Sequence, residues 1–375
     1  MEPFIVEESK KITGANIKAI GVGGGGGNMI GHMINQNIEG IELIVANTDA
    51  QALNSSKAHV KIQLGEKTTR GLGAGMIPEK GKEAAQESFD EIKEKLEGAD
   101  IVFIASGMGG GTGTGAAPII AQAAKEVGAL TISVVTKPFK FEGRRRARLA
   151  DAGIEELKKE SDSIVVIPND KLLAIVEKNL GIKESFKIVD DVLARAVHGI
   201  SGVILSYGPN DINLDFADVK TVMSHRGLAL MGVGEAQGGN SAYEAIKSAI
   251  ESPLLDNMSI NGAMGVLVHF TIHPDYPLVD ISEAMDVVYE SADEDAYVIF
   301  GTTTDETMEP DRVRITLIAT GFDHQEQKEK EEMKLVSPKQ QPLENMVKTG
   351  TDDILELRKN SDLLDVPSYI RNQWD

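Results

Sequence analysis

A glycine-rich stretch in the first third of the chain restricts the fold more than any other feature. Residues 106–115 read SGMGGGTGTG, and they stand between the apolar run 101–104 and a stretch, 116–127, with the composition of a helix. A glycine loop that leaves a buried strand and enters a helix can point backbone N–H groups at an anion, and the helix dipole adds about half a positive charge there. The pattern therefore predicts a phosphate-binding loop in an α/β fold.

Two further glycine segments support this interpretation. Residues 21–28 (GVGGGGGN) follow the strand-like run 17–20 and open an apolar-periodic segment that reaches Ile34. Two such loops in one sheet are far more specific for a phosphorylated ligand than one. Residues 68–75 (TTRGLGAG) lie between predicted strands, and this segment could either close over a terminal phosphate or be a long surface loop.

The composition limits the classes of function. With 375 residues and 41% hydrophobic content, the chain can build two domains with substantial cores. No apolar run approaches the roughly 20 residues of a membrane span, and the first residues lack the pattern of a signal peptide, so we expect a cytoplasmic protein without direct membrane insertion. The absence of cysteine excludes disulfides and thiolate catalysis, and any bound metal should be a hard ion on oxygen.

The charge distribution argues against a nucleic-acid partner. The net charge is −20 at pH 7, whereas contacts with nucleic-acid phosphates are made mainly by Lys and Arg. One dense basic run, residues 144–148 (RRRAR), could still meet a local phosphate or could be a solvated helix face.

The order of apolar segments predicts the domain organisation. Strand-like runs at 41–46, 101–105, 130–135 and 164–167 alternate with helical stretches, which indicates a parallel sheet covered by helices on both faces. We predict a flexible N-terminus (1–14), a Rossmann-type nucleotide-binding domain (15–181), a long central helix (182–206), a smaller α/β domain (207–322), a disordered linker (323–360) and a partner-binding tail (361–375). The tail holds Tyr369, Ile370 and Trp374, which could instead pack back on the body.

A dinucleotide-binding Rossmann domain is the main rival. Residues 21–26 fit its Gly-x-Gly-x-x-Gly fingerprint, and Asp49 lies near the expected ribose-binding acid. That fold, however, leaves the glycines of residues 109–115 without a role. A P-loop NTPase is excluded because neither glycine loop contains the Gly-Lys-Ser/Thr that reaches the terminal phosphates.

Candidate ribose and base contacts follow the predicted sheet. Glu142 and Arg146 come after the strand at 130–135, at the carboxyl edge where open α/β sheets bind ligands, and Glu142 could accept from ribose hydroxyls. Phe186 and Asp190 share a helical face. An aromatic ring beside a carboxylate suits guanine, whose N1–H and 2-amino groups both donate. The alternative is that Phe186 belongs to the core and Asp190 to a solvated surface.

Residues 213–220 (NLDFADVK) contain a pair of acids, Asp215 and Asp218, three positions apart at a predicted helix start. Such a pair faces one way and could polarise an attacking water. The same residues could equally cap the helix and stabilise its first turn, each by roughly 1 kcal/mol.

Together with residues 47–49 (NTD) and 138–143 (PFKFEG), these segments resemble the FtsZ family of tubulin-like cell-division GTPases, over about residues 12–322 and again in 365–373. The resemblance implies a tubulin-like fold that binds and hydrolyses GTP with Mg²⁺. It implies nucleotide contacts at Gly24, Gly25, Gly26, Gly27, Asn28, Gly73, Ala74, Gly75, Gly110, Gly111, Thr112, Gly113, Thr114, Glu142, Arg146, Asn169, Phe186 and Asp190.

The resemblance also implies a mode of action. Asn213, Asp215 and Asp218 would act on the GTP of the next subunit in a head-to-tail filament at the mid-cell division ring, so hydrolysis would depend on assembly. Residues 365–373 would dock onto a membrane-tethering division protein such as FtsA, and other division regulators would bind as well. The alternatives are an NAD-dependent oxidoreductase and a nucleotide-binding scaffold without turnover.

Overall fold

A computed structural model describes residues 14–36, 38, 40–172, 181–205, 211–212, 214–224, 227–255, 260 and 262–322. Asn213, the predicted linker and the predicted tail lie outside the described residues, as does nearly all of the predicted N-terminal segment.

Strands and helices alternate along the chain. The strands are β1 (Ile17–Val22), β2 (Ile41–Asn47), β3 (Val60–Gln63), β4 (Ile101–Gly107), β5 (Leu130–Lys137), β6 (Ser163–Pro168), β7 (Leu228–Gln237), β8 (Gly265–Ile272), β9 (Tyr297–Thr304) and β10 (Arg312–Thr320). The helices are α1 (Gly23–Asn35), α2 (Ala50–Ser55), α3 (Glu66–Thr69), α4 (Pro78–Glu87), α5 (Phe89–Leu96), α6 (Thr112–Glu126), α7 (Arg144–Glu160), α8 (Asn169–Leu172), α9 (Ile182–Leu205), α10 (Phe216–Met223), α11 (Ser241–Ile250) and α12 (Leu278–Ser291). None of these described helices is both long and apolar enough to cross a membrane.

One sheet runs through both halves of the described chain. Its order is β3-β2-β1-β4-β5-β6-β7-β10-β8-β9. The strands from β3 to β6 are all parallel, β6 meets β7 over two residue pairs, and β10 runs antiparallel to both β7 and β8. The predicted α/β architecture, with its mostly parallel sheet and its second set of strands, is confirmed.

Helices cover both faces of the parallel part, because its strands are apolar on both sides. On β1, Ile17 and Ala19 belong to one core with α1 and α9, whereas Ile20 and Val22 belong to a second core with α4 to α7. Successive side chains of a strand point to opposite faces, so a continuous apolar run is what a doubly covered sheet requires.

The central helix α9 spans 24 residues, or about 36 Å at 1.5 Å per residue. Its buried side chains recur at helical spacing and share the first core with residues of β8, β9 and β10. They are Val189, Val192, Leu193, Ala196, Val197, Ile200 and Val203. The helix therefore packs against both parts of the sheet.

Two helices begin earlier than the sequence predicts. Helix α1 starts at Gly23, inside the predicted loop 21–28, and α6 starts at Thr112 rather than Ala116. Glycine is a poor helix former, so local propensity places both starts too late. Tertiary packing requires glycine there, since a Cβ on Gly26 would lie 2.2 Å from the carbonyl oxygen of Ala105.

Candidate nucleotide-binding site

The N-termini of α1 and α6 lie side by side at the carboxyl edge of the sheet. Strands β1 and β4 are parallel neighbours, and each leads directly into its glycine segment. A Cβ on Gly23 would lie 3.0 Å from the backbone nitrogen of Gly113, and one on Gly25 would lie 3.1 Å from Gly107. This edge is also where the strand order reverses direction, the usual ligand site of open α/β sheets. Two helix dipoles and their free N–H groups therefore favour one anion site.

The third glycine segment touches the second glycine loop. A Cβ on Gly111 would lie 2.2 Å from the carbonyl oxygen of Gly75 and 3.0 Å from the Cβ of Ala74. Gly73 has a φ of 82° and Gly75 a φ of 60°, so both occupy the left-handed region that favours glycine. The structure thus brings the predicted residues Gly73, Ala74 and Gly75 against the predicted phosphate loop.

The predicted glycines divide into two groups by what surrounds them. A Cβ on Gly24 or Gly110 would meet no heavy atom of the described residues within 4 Å. A Cβ on Gly113, in contrast, would lie 2.5 Å from the Ser106 hydroxyl. The nearby Thr114 also turns inward, because its buried hydroxyl accepts the N–H of Gly109 at 2.8 Å. Gly24 and Gly110 are therefore open to a ligand, as is Gly75 of the third segment.

A cavity of about 250 Å³ begins where the loops end, and predicted residues from separate elements line it. A second cavity of about 610 Å³ runs along α1 and shares Asn28 and Asp190 with the first. The predicted residues that line the smaller cavity are Gly25, Asn28, Glu142, Arg146, Asn169, Phe186 and Asp190.

Polar atoms in this cavity fit a polar ligand. Asn169 is 5% exposed, and within the described part of the chain its Oδ1 has no hydrogen-bond partner, nor does the buried Nε of Arg146. Buried polar atoms are nearly always paired in folded proteins, so such atoms are matched by a bound ligand or water. Glu142 accepts the N–H of Phe139 at 2.9 Å and pairs with Arg146 at 2.5 Å, which fixes its carboxylate at the cavity wall.

Asp190 and Phe186 present an acid and a ring to the cavity. Burial raises the pKa of Asp190 to about 6, and the nearby His32 opposes that shift. Phe186 is 43% exposed and meets Phe139 edge-on at 5.6 Å between ring centroids. The adjacent Asp191 instead binds Arg195 at 2.6 Å and accepts from Gln36 at 3.1 Å.

The acids of residues 213–220 do not lie at this cavity. Asp215 is the N-cap of α10 and accepts the N–H of Ala217 at 3.3 Å. Asp218 accepts from the hydroxyl of Tyr297 at 3.1 Å. The adjoining Leu214 donates its N–H to the carbonyl of Val203, which follows Asp190 by 13 positions on α9, a distance of about 20 Å along the helix axis.

One residue of the site, Thr48, was not among the predicted contacts. It follows β2 and is fully buried, and its hydroxyl lies 2.6 Å from that of Thr112. Two features of the sequence point to it: its position directly after a strand, at the carboxyl edge, and its place in the segment 47–49, which carries part of the family resemblance. The neighbouring Asp49 caps α2 through bonds from the N–H groups of Gln51 and Ala52. The acid that the rival Rossmann interpretation needs for ribose is thus engaged in a local helix cap.

Comparison with known proteins decides the family. Residues 16–177 match a family model described as Tubulin/FtsZ family, GTPase domain, and residues 227–323 match FtsZ family, C-terminal domain. An empty FtsZ dimer from M. jannaschii is 46% identical, with 84% of this chain and 90% of that chain covered and a TM-score of 0.79. The chain belongs to the FtsZ family.

The chain is therefore a GTP-binding, tubulin-like GTPase of the cell-division family, and the predicted resemblance is confirmed. A point variant of FtsZ from M. jannaschii matches at 45% identity, 83% and 92% coverage and a TM-score of 0.77. A protofilament of CetZ2 from Haloferax volcanii with bound GTPγS is 19% identical, with 85% and 99% coverage and a TM-score of 0.67, which shows a shared fold alone. The family match supports a GTPase over the oxidoreductase alternative.

Proposed function

We propose that this GTPase forms head-to-tail filaments of the division ring and hydrolyses GTP at the interface between subunits. One observation carries the proposal. The acids at 215 and 218 lie beside the far end of α9, about 20 Å along the helix from Asp190, so they do not reach the nucleotide cavity of their own chain. A neighbouring subunit that stacks on this end would bring its own cavity to them.

Exposed apolar side chains at both ends support such stacking. Leu72, beside the glycine loops, is 85% exposed, and Phe141, just after β5, is 74% exposed. Near Asp218, Tyr297 and Met264 are also exposed and are joined by a backbone hydrogen bond of 2.9 Å. A contact between two different surfaces that does not close a ring generates a filament. The M. jannaschii FtsZ dimer is an assembly of a relative and supports self-association of this chain.

The division of roles in hydrolysis follows from the positions of the groups. Backbone N–H groups at the starts of α1 and α6 hold the phosphates and stabilise negative charge on the transferring phosphoryl group. Asp215 and Asp218 of the adjacent subunit, together with Asn213, position and polarise the attacking water. Hydrolysis then requires assembly, and an isolated subunit is nearly inactive.

The cavity walls select the base and the ribose. Phe186 stacks on the base, and the Asp190 carboxylate accepts from the two adjacent donors of guanine. Glu142 and Asn169 offer oxygen atoms to the ribose and the base edge. Mg²⁺ accompanies the nucleotide and neutralises phosphate charge. Since the described residues contain no cluster of three His, Asp or Glu side chains, phosphate oxygens and water would supply most of its ligands.

The segment 365–373 is the proposed contact with a membrane-tethering division protein such as FtsA, and other division regulators would bind the assembled protein at mid-cell. The composition supports this role, because Tyr369, Ile370 and Trp374 stand close together after a segment, 323–360, that is rich in Glu, Lys and Gln.

A mixing experiment tests action across the interface. Asp218→Ala retains its glycine loops but lacks an acid, whereas Gly110→Val retains its acids but has a side chain in the open space of the phosphate site. Each variant alone should release phosphate slowly. In a mixture, Gly110→Val subunits can offer intact acids to the GTP of Asp218→Ala subunits, so phosphate release should recover.

The matched control mixes Asp218→Ala with Asp215→Ala. Neither variant offers a complete pair of acids, so this mixture should stay slow. Co-sedimentation of differently labelled subunits establishes that the variants enter one filament. If they co-assemble and the first mixture shows no more activity than the control, hydrolysis does not occur in trans.

A further inference from the structure

Thr48 connects two parts of the site that are distant in sequence, the second glycine loop and the segment 73–75. We propose that Thr48 is a positioning residue that holds these parts together and thereby sets the preference for GTP over GDP. The inference deepens the proposed function, since it rests on the assignment of both glycine segments to the phosphates.

The side chain of Thr48 acts on the loop. Its hydroxyl lies 2.6 Å from that of Thr112, the first residue of α6, and either oxygen can be the donor. Thr48 is fully buried, whereas Thr112 is half-buried at the edge of the site. A phosphate oxygen only accepts hydrogen bonds, so a bound phosphate selects one direction: Thr48 donates to Thr112, and the Thr112 proton is left for the phosphate. The buried hydroxyl thus orients the exposed one.

The backbone of Thr48 acts on the other segment. Its carbonyl oxygen accepts the N–H of Gly73 at 3.2 Å, and the side chains of Thr69 and Gln63 donate to the same oxygen, each also at 3.2 Å. These three donors surround one acceptor between β3 and the segment 73–75. Any displacement of Thr48 therefore moves the segment and the loop together.

The two contacts have different consequences for the two nucleotides. Both nucleotides have phosphates for the glycine loops, but only GTP has the terminal phosphate that segment 73–75 is proposed to contact. Without the hydroxyl, Thr48 and the segment bonded to its carbonyl are no longer tied to Thr112, so the segment is held less firmly against the loop. The binding of GTP, which needs both parts in register, should therefore weaken more than that of GDP. A residue with a purely structural role would weaken both nucleotides equally.

The test compares Thr48→Val with Thr48→Ser in the full chain, with GTP and GDP affinities measured separately by equilibrium titration. Thr48→Val removes the hydroxyl at nearly constant volume, and we expect GTP affinity to fall about tenfold, as for one lost hydrogen bond. GDP affinity should fall much less. Thr48→Ser keeps the donor and should restore both values.

Thr131→Val is the matched control. Thr131 is also fully buried on the same sheet, but its hydroxyl bonds to the carbonyl of Ala129 at the opposite, amino end of β5. This variant should lower the melting temperature without changing the ratio of GTP to GDP affinity. Equal losses of GTP and GDP affinity in Thr48→Val, or a failure of Thr48→Ser to restore GTP binding, would overturn the proposal.

Two further variants keep the result interpretable. If Thr48→Val does not fold, Thr48→Ala removes the hydroxyl without adding a buried methyl beside polar atoms and is measured in the same way. Gly110→Val separates this inference from the assignment beneath it. Normal GTP binding by Gly110→Val would refute the assignment of the glycine loops to the phosphates. If Gly110→Val loses GTP binding but Thr48→Val keeps the ratio of GTP to GDP affinity unchanged, only the role of Thr48 is refuted.

Discussion

The glycines of the second loop differ in role: some leave space for a ligand, and others allow two segments of the protein to pack closely. Substitution by a larger residue separates the two roles. Gly110 faces open space, whereas a Cβ on Gly111 would collide with the backbone of Gly75. A side chain at Gly110 should therefore obstruct the ligand, and one at Gly111 should disrupt the contact between two segments of the protein.

We expect Gly110→Val to keep a melting temperature close to that of the unaltered protein in the absence of nucleotide and to lose GTP binding. Gly111→Val should lower the melting temperature clearly, because backbone atoms must move to accommodate it. Thermal melts paired with nucleotide titration measure both effects. Unaltered GTP affinity in a folded Gly110→Val protein would contradict the phosphate assignment.

The proposed contact between Asp190 and guanine should make GTP binding sensitive to pH. Its pKa is raised to about 6 by burial, so the carboxyl group is protonated below that pH in the free protein. Guanine donors favour the ionised form, and we expect GTP affinity to weaken as the pH falls through 6. Asp190→Asn should lose about 1.5–3 kcal/mol of GTP-binding free energy at pH 7.5. It should also lose the preference for GTP over ATP, and its GTP affinity should vary less with pH.

The phosphates of GTP titrate in the same range, so the informative quantity is the ratio of affinities between the unaltered protein and Asp190→Asn at each pH. Asp191→Asn is the control, because Asp191 binds Arg195 instead of lining the cavity. A constant ratio between pH 5 and 8 would place base recognition elsewhere.

The same shift has a consequence for stability. A carboxyl group with a raised pKa stabilises the folded state below its unfolded value near 4, and this contribution is lost as the pH rises through 6. Without nucleotide, Asp190→Asn should therefore be more stable than the unaltered protein at pH 8, by about 1 kcal/mol once solvent screening is allowed for.

At the level of secondary-structure elements, the start of α10 combines a structural role with the proposed catalytic one. Asp215 caps the helix, whereas the described partner of the Asp218 carboxylate is the hydroxyl of the exposed Tyr297. We expect Asp215→Ala to cost about 1 kcal/mol of unfolding free energy and Asp218→Ala to cost much less. Both variants should form filaments with GTP and hydrolyse it slowly.

Asp215→Ser separates the two requirements, because serine also caps helices but cannot act as a carboxylate. It should recover stability and still hydrolyse GTP slowly, as measured by thermal melts and phosphate release per pelleted filament. Normal turnover by Asp215→Ser would reduce this residue to a helix cap.

For the whole molecule, the ten described strands and the three buried apolar clusters all lie within residues 14–322. We expect truncation after Asn360 to leave GTP hydrolysis and pelletable assembly nearly unchanged and to abolish binding to a membrane-tethered FtsA-type partner. The full chain with alanine at Tyr369, Ile370 and Trp374 is the control and should behave in the same way. Unfolding or loss of assembly in either protein would make the tail part of the body.

The sequence by itself determined the class of fold and the chemistry of the ligand. Buried parallel strands require continuous apolar runs, and close approach of a phosphate to the backbone requires glycine, so both signals are local and readable, as in 101–115. The helical spacing of apolar residues in α9 is a local signal as well. The predicted range is 182–206 and the structure has Ile182–Leu205; residue 206 lies outside the described residues.

Only the tertiary structure decided which groups meet. Thr48 and Thr112 are 64 positions apart, and no periodicity links them, yet their hydroxyls touch. The early start of α1 depends on how closely Gly26 packs against Ala105 of another strand. The fold likewise sets the distance of about 20 Å along α9 that separates Asp190 from the acids near α10. Local patterns encode which element a residue joins, whereas the meeting of elements depends on the packing of the whole chain.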